Sequence, residues 1–244
     1  MTRPAGQEQP LVDSLERAGL VAEHLPLIQI QPRAEADAAQ RQVLLKLAEF
    51  QHVIFVSGNA IRHGMALIED FWPQLPVGLH WYTVGSSSAA QLREYGVDVL
   101  LPEHTMSSEG LLALPHLQSV SDQRVLIVRG EGGRTLLRET LVERGARVDE
   151  LAVYRRCRPD YGAGEVAERI LGSGAHCILI SSGEGLDNMV SLLDGAALEK
   201  VRALTLVVPG ERVARQAQDA GFTRLTIADN ATDEAMVAAA RSVT

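Results

Sequence analysis

Short apolar runs without alternation recur along the chain at Val53 to Val56, Val125 to Val128, Cys177 to Ile180 and Leu204 to Val208. A strand buried on both faces has this pattern because neither side of its pleat meets water, so the runs predict parallel strands covered by helices. Between them the spacing turns helical. Thr135 to Arg144 carries apolar residues at 136, 137 and 141 with charges between, and stops at Gly145, which accepts a left-handed helix end without a Cβ clash. Leu11 to Ala18 before Gly19, Ala89 to Tyr95 before Gly96, and Arg212 to Ala220 before Gly221 repeat that punctuation. Strand, helix, glycine, strand is the order of a parallel α/β sheet.

The pattern occurs twice. Thr2-Arg3-Pro4 through Gly19 to Leu27 aligns without a gap on Val128-Arg129-Gly130 through Gly145 to Val153, since 3 and 129, 19 and 145, and 27 and 153 are each 126 apart. Ile54-Phe55-Val56-Ser57-Gly58 falls on Leu179-Ile180-Ser181-Ser182-Gly183, Val84-Gly85 on Pro209-Gly210, Gly96 on Gly221 and Glu109 on Glu234, each 125 apart. An internal duplication of one α/β unit follows, and two facing copies are a common way to enclose a large ligand. Val125 and Leu126 have no counterparts in the first copy, so its first strand is expected to be cut short at Met1, and apolar residues added ahead of it to raise stability.

With 244 residues, 46% hydrophobic and 22% charged, the chain can bury two ordinary cores, and its mean hydropathy of +0.02 suits a water-exposed globular surface. The apolar runs fall short of the roughly 20 residues that span a bilayer, and the N-terminus lacks a basic region followed by an apolar core, so a cytoplasmic location is expected. Cys157 and Cys177 form no C-x-x-C, which points to reduced thiols rather than a disulfide frame or zinc site. A formal charge of −8 argues against a nucleic-acid surface but leaves room for a small anionic ligand, because the local field decides that. Arg3, Arg129 and Arg134 lie at or just past the carboxyl ends of predicted strands, where open α/β sheets bind ligands.

Gly130-Glu131-Gly132-Gly133-Arg134 follows a strand and opens a helix, but Thr135 stands where the dinucleotide fingerprint needs its last glycine, and a P-loop's terminal Gly-Lys-Ser/Thr is also missing. Either an anion-holding turn or a tight strand-to-helix connection accounts for it. Gly85-Ser86-Ser87-Ser88-Ala89 ends in alanine where a nucleophile elbow needs glycine. Its hydroxyls, with those of Ser57, Ser181 and Ser182, are expected to cap the helices that follow their strands. The seven histidines show no metal-ligand spacing. Trp72 and Trp81 are expected to be packing anchors. Tyr154 stands out because its counterpart in the first copy is Ile28, so a phenol occurs in one half only; on these grounds a strand aromatic packed at a domain edge, for which β-propensity is sufficient reason, is favoured over chemistry.

Thr2-Arg3-Pro4, Leu25-Pro26-Leu27-Ile28, Phe55-Val56-Ser57-Gly58-Asn59-Ala60, Tyr82-Thr83-Val84-Gly85, Ser108-Glu109-Gly110-Leu111-Leu112, Val128 to Arg134 and Val153-Tyr154-Arg155-Arg156 together resemble uroporphyrinogen-III synthase along the full chain. The resemblance implies two parallel-sheet α/β domains joined by a two-stranded linker, with the active-site cleft between them. Residues 1–30 plus 160–244 would form one discontinuous domain, 36–153 the inserted one, and 31–35 with 154–159 the connecting strands. It further implies a cofactor-free and metal-free monomer that cyclises hydroxymethylbilane to uroporphyrinogen III, inverting ring D and losing water, in tetrapyrrole (haem) biosynthesis. Transient contact with hydroxymethylbilane synthase is expected, and none with nucleic acid or membrane. The family's important tyrosine falls on Tyr154, as proton donor to the departing hydroxyl. Ser57, Gly58, Asn59, Ser86, Ser88, Gly130, Gly132, Gly133, Ser181, Ser182, Gly183 and Gly210 would meet substrate carboxylates, with Arg3, Arg129 and Arg134 as charge partners. Pro209-Gly210-Glu211-Arg212 departs from the Pro-Thr-Thr-like turn of some members, so that hydroxyl does not carry over. A non-catalytic two-domain binding protein for an anionic small molecule is the alternative reading.

Overall fold

The computed structural model describes residues 1–33, 35–102 and 105–243; Ala34, in the expected connector, and Glu103, His104 and Thr244 lie outside them. The first half of the chain runs α1 (Gln9–Arg17), β1 (Gln29–Pro32), α2 (Ala38–Leu45), β2 (His52–Phe55), α3 (Gly58–Phe71), β3 (His80–Thr83), α4 (Ser86–Arg93), β4 (Val99–Leu100) and α5 (Ser108–Leu112). The second half continues with β5 (Arg124–Gly130), α6 (Leu136–Glu143), β6 (Arg147–Cys157), α7 (Glu165–Gly172), β7 (Cys177–Leu179), α8 (Gly183–Leu192), α9 (Gly195–Arg202), β8 (Thr205–Val208), α10 (Glu211–Asp219), β9 (Leu225–Ile227) and α11 (Asp233–Arg241). These divide into two compact units, Gln31–Arg156 and Met1–Ile30 with Cys157–Thr244. Among the described residues, no helix is long and apolar enough to cross a membrane.

The six-stranded sheet has the order β1-β6-β5-β2-β3-β4, and the inserted unit holds β2, β3, β4 and β5 entirely, with β5–β6, β2–β5, β2–β3 and β3–β4 all parallel. Its central strands are buried throughout, which is why their sequences run apolar without alternation: Val53 to Phe55 and Val125 to Val128 are fully inaccessible. Helices end where the glycines stand, with positive φ at Gly19, Gly96, Gly145 and Gly221. Both tryptophans anchor packing. Trp72 Nε1 donates to the Leu44 carbonyl at 2.7 Å, and Trp81 stacks on Phe55 with centroids 6.2 Å apart.

The other unit repeats the plan with a three-stranded parallel sheet, β7-β8-β9, matching β2-β3-β4 at the spacing read from the sequence. Residues 1–4 take no regular strand; Met1 O accepts from Leu25 N at 3.0 Å and Thr2 Oγ1 donates to Leu179 O at 2.8 Å. That segment thus lies beside β7 as β5 lies beside β2. A mainly apolar cavity of about 450 Å3 lies in this unit, and its lining includes Met1, Leu20, Val21, Leu25, Ile170 and Ile178.

At the N-terminal edge of the inserted sheet, His52 is 3% exposed, its Nδ1 paired with the Tyr82 hydroxyl at 2.9 Å and its Nε2 with Gln123 Oε1. The ring stacks on His80 at 5.5 Å, and His80 meets His116 at 5.1 Å. Burial holds the His52 imidazole below its ordinary pKa, and the neighbouring histidines push the same way against the Gln123 bond. Because the folded protein resists this proton while the unfolded chain binds it below about 6.5, stability is full above that pH and is lost as the pH falls toward the lower folded value. Thermal melts at pH 7.5 and 5.5 are expected to show this loss, and a shallower loss in His52→Gln; equal slopes in the two proteins would exclude His52 as its source.

Candidate active site

Because β2, β5 and β6 run parallel, their carboxyl ends gather on one edge of the inserted unit, and the candidate chemistry collects there. Ser57 follows β2 in extended conformation and caps α3, its Oγ accepting from Ala60 N at 3.2 Å. On β6, the register with β5 shifts: Arg129 faces Ala152 but Gly130 faces Tyr154, leaving Val153 as the extra residue of a bulge. A bulge re-aims the side chain that follows it. The Tyr154 hydroxyl lies 3.2 Å from Ser57 Oγ, and its ring rests on the bare backbone of Gly130, where a Cβ would come within 2.6 Å of Cζ. Tyr154 is 4% exposed, so its proton is shielded from bulk water.

The expected site residues divide sharply. Ser57, Gly130 and Tyr154 form one contact group. Gly58 and Asn59 open α3, and a Cβ on Gly58 would stand 3.0 Å from Gln91 Oε1 and 3.9 Å from Ser88 Oγ, so the starts of α3 and α4 are neighbours. The structure differs from the expected capping by Ser86 and Ser88: α4 begins at Ser86, Gly85 is its N-cap, and no side chain bonds the first amides. A serine one residue too late lies inside the helical turn, where its hydroxyl no longer faces those N–H groups. Arg129 is already engaged. It pairs with Glu150 at 2.6 Å and donates to the carbonyls of Gly132 and Gly130, which makes it the brace of a turn in which Gly132 and Gly133 take positive φ. Arg134 is 78% exposed and meets Glu109 at 3.6 Å, a weak contact that an anionic ligand can replace.

In the other unit the construction repeats. Ser182 caps α8 by accepting from Gly185 N at 3.2 Å, as Ser57 does 125 positions earlier, and the Gly183 carbonyl accepts from Gln216 Nε2 at 3.0 Å. Ser181 precedes that cap, half-buried, and Gly210 is the N-cap of α10. Arg3 is held by Asp233 in the first turn of α11, so its charge is internally compensated.

One neighbour of Tyr154 was not anticipated. His63 of α3 lies with its ring centroid 6.0 Å from that of Tyr154. Its only signal in the sequence is a position beside Gly64, and Gly64 lacks a side chain because a Cβ there would meet Val128 Cγ1 at 2.6 Å and Phe55 Cε1 at 3.0 Å. That close approach sets α3 against β5 and brings His63 over β6.

The family model for uroporphyrinogen-III synthase HemD matches residues 9–238. The chain belongs to the uroporphyrinogen-III synthase family. It is 33% identical to the uroporphyrinogen-III synthase of Escherichia coli over 244 residues, covering 98% of each chain, and 34% identical to that of Salmonella typhimurium over 241 residues with the same coverage. The fold is similar to the crystal structure of uroporphyrinogen-III synthetase from Helicobacter pylori, at a TM-score of 0.62 and 17% identity over 91% of this chain and 93% of that one. For a uroporphyrinogen-III synthase family member, the asymmetry noted between Tyr154 and Ile28 is placed at one strand-end cluster, in the inserted unit.

Proposed function

We propose that the chain is a uroporphyrinogen-III synthase, cyclising hydroxymethylbilane with inversion of ring D and loss of water, in the cytoplasm and without a cofactor. The observation that carries the site is the Ser57–Tyr154 hydroxyl pair at 3.2 Å on the Gly130 backbone. Either hydroxyl of the pair can donate; with Ser57 as donor to the phenol oxygen, the phenol O–H is left for the hydroxymethyl oxygen, the C–O bond breaks, water departs, and a cationic azafulvene remains. An ordinary phenol carries its proton at neutral pH and can act as an acid. The same Ser57 bond then stabilises the phenolate.

The substrate is a flexible polyanion. The uncapped amides at the start of α4, with the hydroxyls of Ser86 and Ser88, suit its carboxylates, as do Gly58 and Asn59 at the start of α3 and Arg134 at the 130–134 turn. Ser181, Ser182, Gly183 and Gly210 are assigned the same role in the other unit, with 31–35 and 154–159 as connectors. Holding both ends of the bilane within bonding reach supplies up to about 7 to 11 kcal/mol of the barrier. Hydroxymethylbilane synthase is the proposed transient partner, because a bilane that closes spontaneously gains from short transfer.

The test is to incubate the chain with freshly generated hydroxymethylbilane, oxidise the product and separate isomers I and III chromatographically. Isomer III is expected to dominate. Isomer I alone at the uncatalysed rate overturns the reading and leaves the binding-protein alternative.

A further inference from the structure

We infer that His63 is a second catalytic residue, the base that removes the surplus proton at the end of ring closure. The inference rests on the proposed function and extends it, since an acid at Tyr154 accounts for only one of the two proton transfers.

The reaction gives a macrocycle and water with no net proton, so a proton donated at the start must be recovered at the end. When the Tyr154 O–H proton goes to the leaving hydroxyl, the chain is left with a phenolate and the bilane with an azafulvene cation. The far ring attacks through its substituted carbon, the spiro intermediate fragments, and the bond reforms in the inverted orientation. That last carbon–carbon bond leaves one pyrrole ring cationic and one proton in excess of the aromatic product. The C–H electron pair returns to the ring as a lone pair on an imidazole nitrogen of His63 takes the proton. The imidazolium then passes its proton to the Tyr154 phenolate, and both groups are restored.

Four observations support this. His63 is the imidazole in ring contact with Tyr154, at a 51° tilt and 6.0 Å between centroids. Its position is built, because Gly64 lets α3 press onto β5 and Gly130 lets the Tyr154 ring settle against the same strand. It is half-buried, open enough to meet a ligand. Burial, and after it the Arg62 guanidinium on the same helix, hold its pKa below the ordinary histidine value, so it is neutral at neutral pH and can accept a proton. Tyr154 faces it from β6, and α2, α4, β2 and β5 are the other elements packed on α3.

The experiment measures single-turnover rate and product isomer from pH 5.5 to 8.5 for the wild type, His63→Gln, His63→Ala and Tyr154→Phe, with thermal melts to confirm folding. Loss of a general base costs on the order of a hundredfold or more. His63→Gln is expected to slow turnover by that factor while still forming isomer III, and to lose the fall in rate that the wild type shows toward acid pH. Added imidazole is expected to restore part of the His63→Ala rate, which a purely structural role would not allow. Wild-type rate in His63→Gln overturns the proposal, as does a slowed variant with an unaltered pH profile and no rescue. A slow Tyr154→Phe beside a normal His63→Gln removes the base alone; a wild type that yields no isomer III removes the proposed function itself.

Discussion

Tyr154→Phe lowers the single-turnover rate of isomer III formation by a factor on the order of 100 to 10,000, the usual worth of a positioned acid. That is about 3 to 5 kcal/mol of barrier. The variant stays folded. What it loses structurally is one hydrogen bond to Ser57, about 1 kcal/mol, and Ser57 Oγ keeps its bond from Ala60 N. A rate loss several times larger in free energy than the stability loss marks a chemical role, and the comparison needs only quench-flow kinetics and a thermal melt. Unchanged rate and isomer ratio would remove Tyr154 as the acid.

Gly130→Ala should damage the same step without touching the phenol's chemistry. The new methyl carbon would lie 2.6 Å from Cζ, 2.7 Å from Cε2 and 3.0 Å from the hydroxyl oxygen, all far inside van der Waals contact. The ring cannot retreat easily because Tyr154 is 4% exposed and its backbone is paired to Gly130 itself. Overpacking of this kind costs about 1 to 3 kcal/mol of stability. A displacement of about 1 Å at a catalytic group costs on the order of 100-fold in rate. The diagnostic is the double variant. If both substitutions act through the phenol, Gly130→Ala/Tyr154→Phe is no slower than Tyr154→Phe alone, whereas independent effects would multiply. Multiplied losses would show that Gly130 serves the reaction by another route.

Much of the site's scaffold was legible in the chain. The pairing of Ser57 with Ser182 across the repeat anticipated two helix caps, and both form, because an extended serine just ahead of a helix has its oxygen over the first amides whatever the wider fold. The serines of α4 show the limit: Gly85 takes the cap and the hydroxyls fall inside the turn, a shift of one residue that no composition rule detects. Arg3 and Arg129, expected as charge partners of substrate carboxylates, each meet a carboxylate of the chain itself, Asp233 and Glu150, that is distant in sequence.

By itself the sequence determined the duplication, the parallel α/β order and the family, because hydrophobic period and glycine helix ends are local consequences of burial and backbone sterics. The tertiary structure alone decided which side chains meet at the edge. A bulge at Val153 turns Tyr154 onto Gly130, Ser57 meets it from 97 positions away, and the missing side chain of Gly64 draws His63 alongside. Such contacts come from strand register and helix-to-sheet distance, and neither is encoded at any single position.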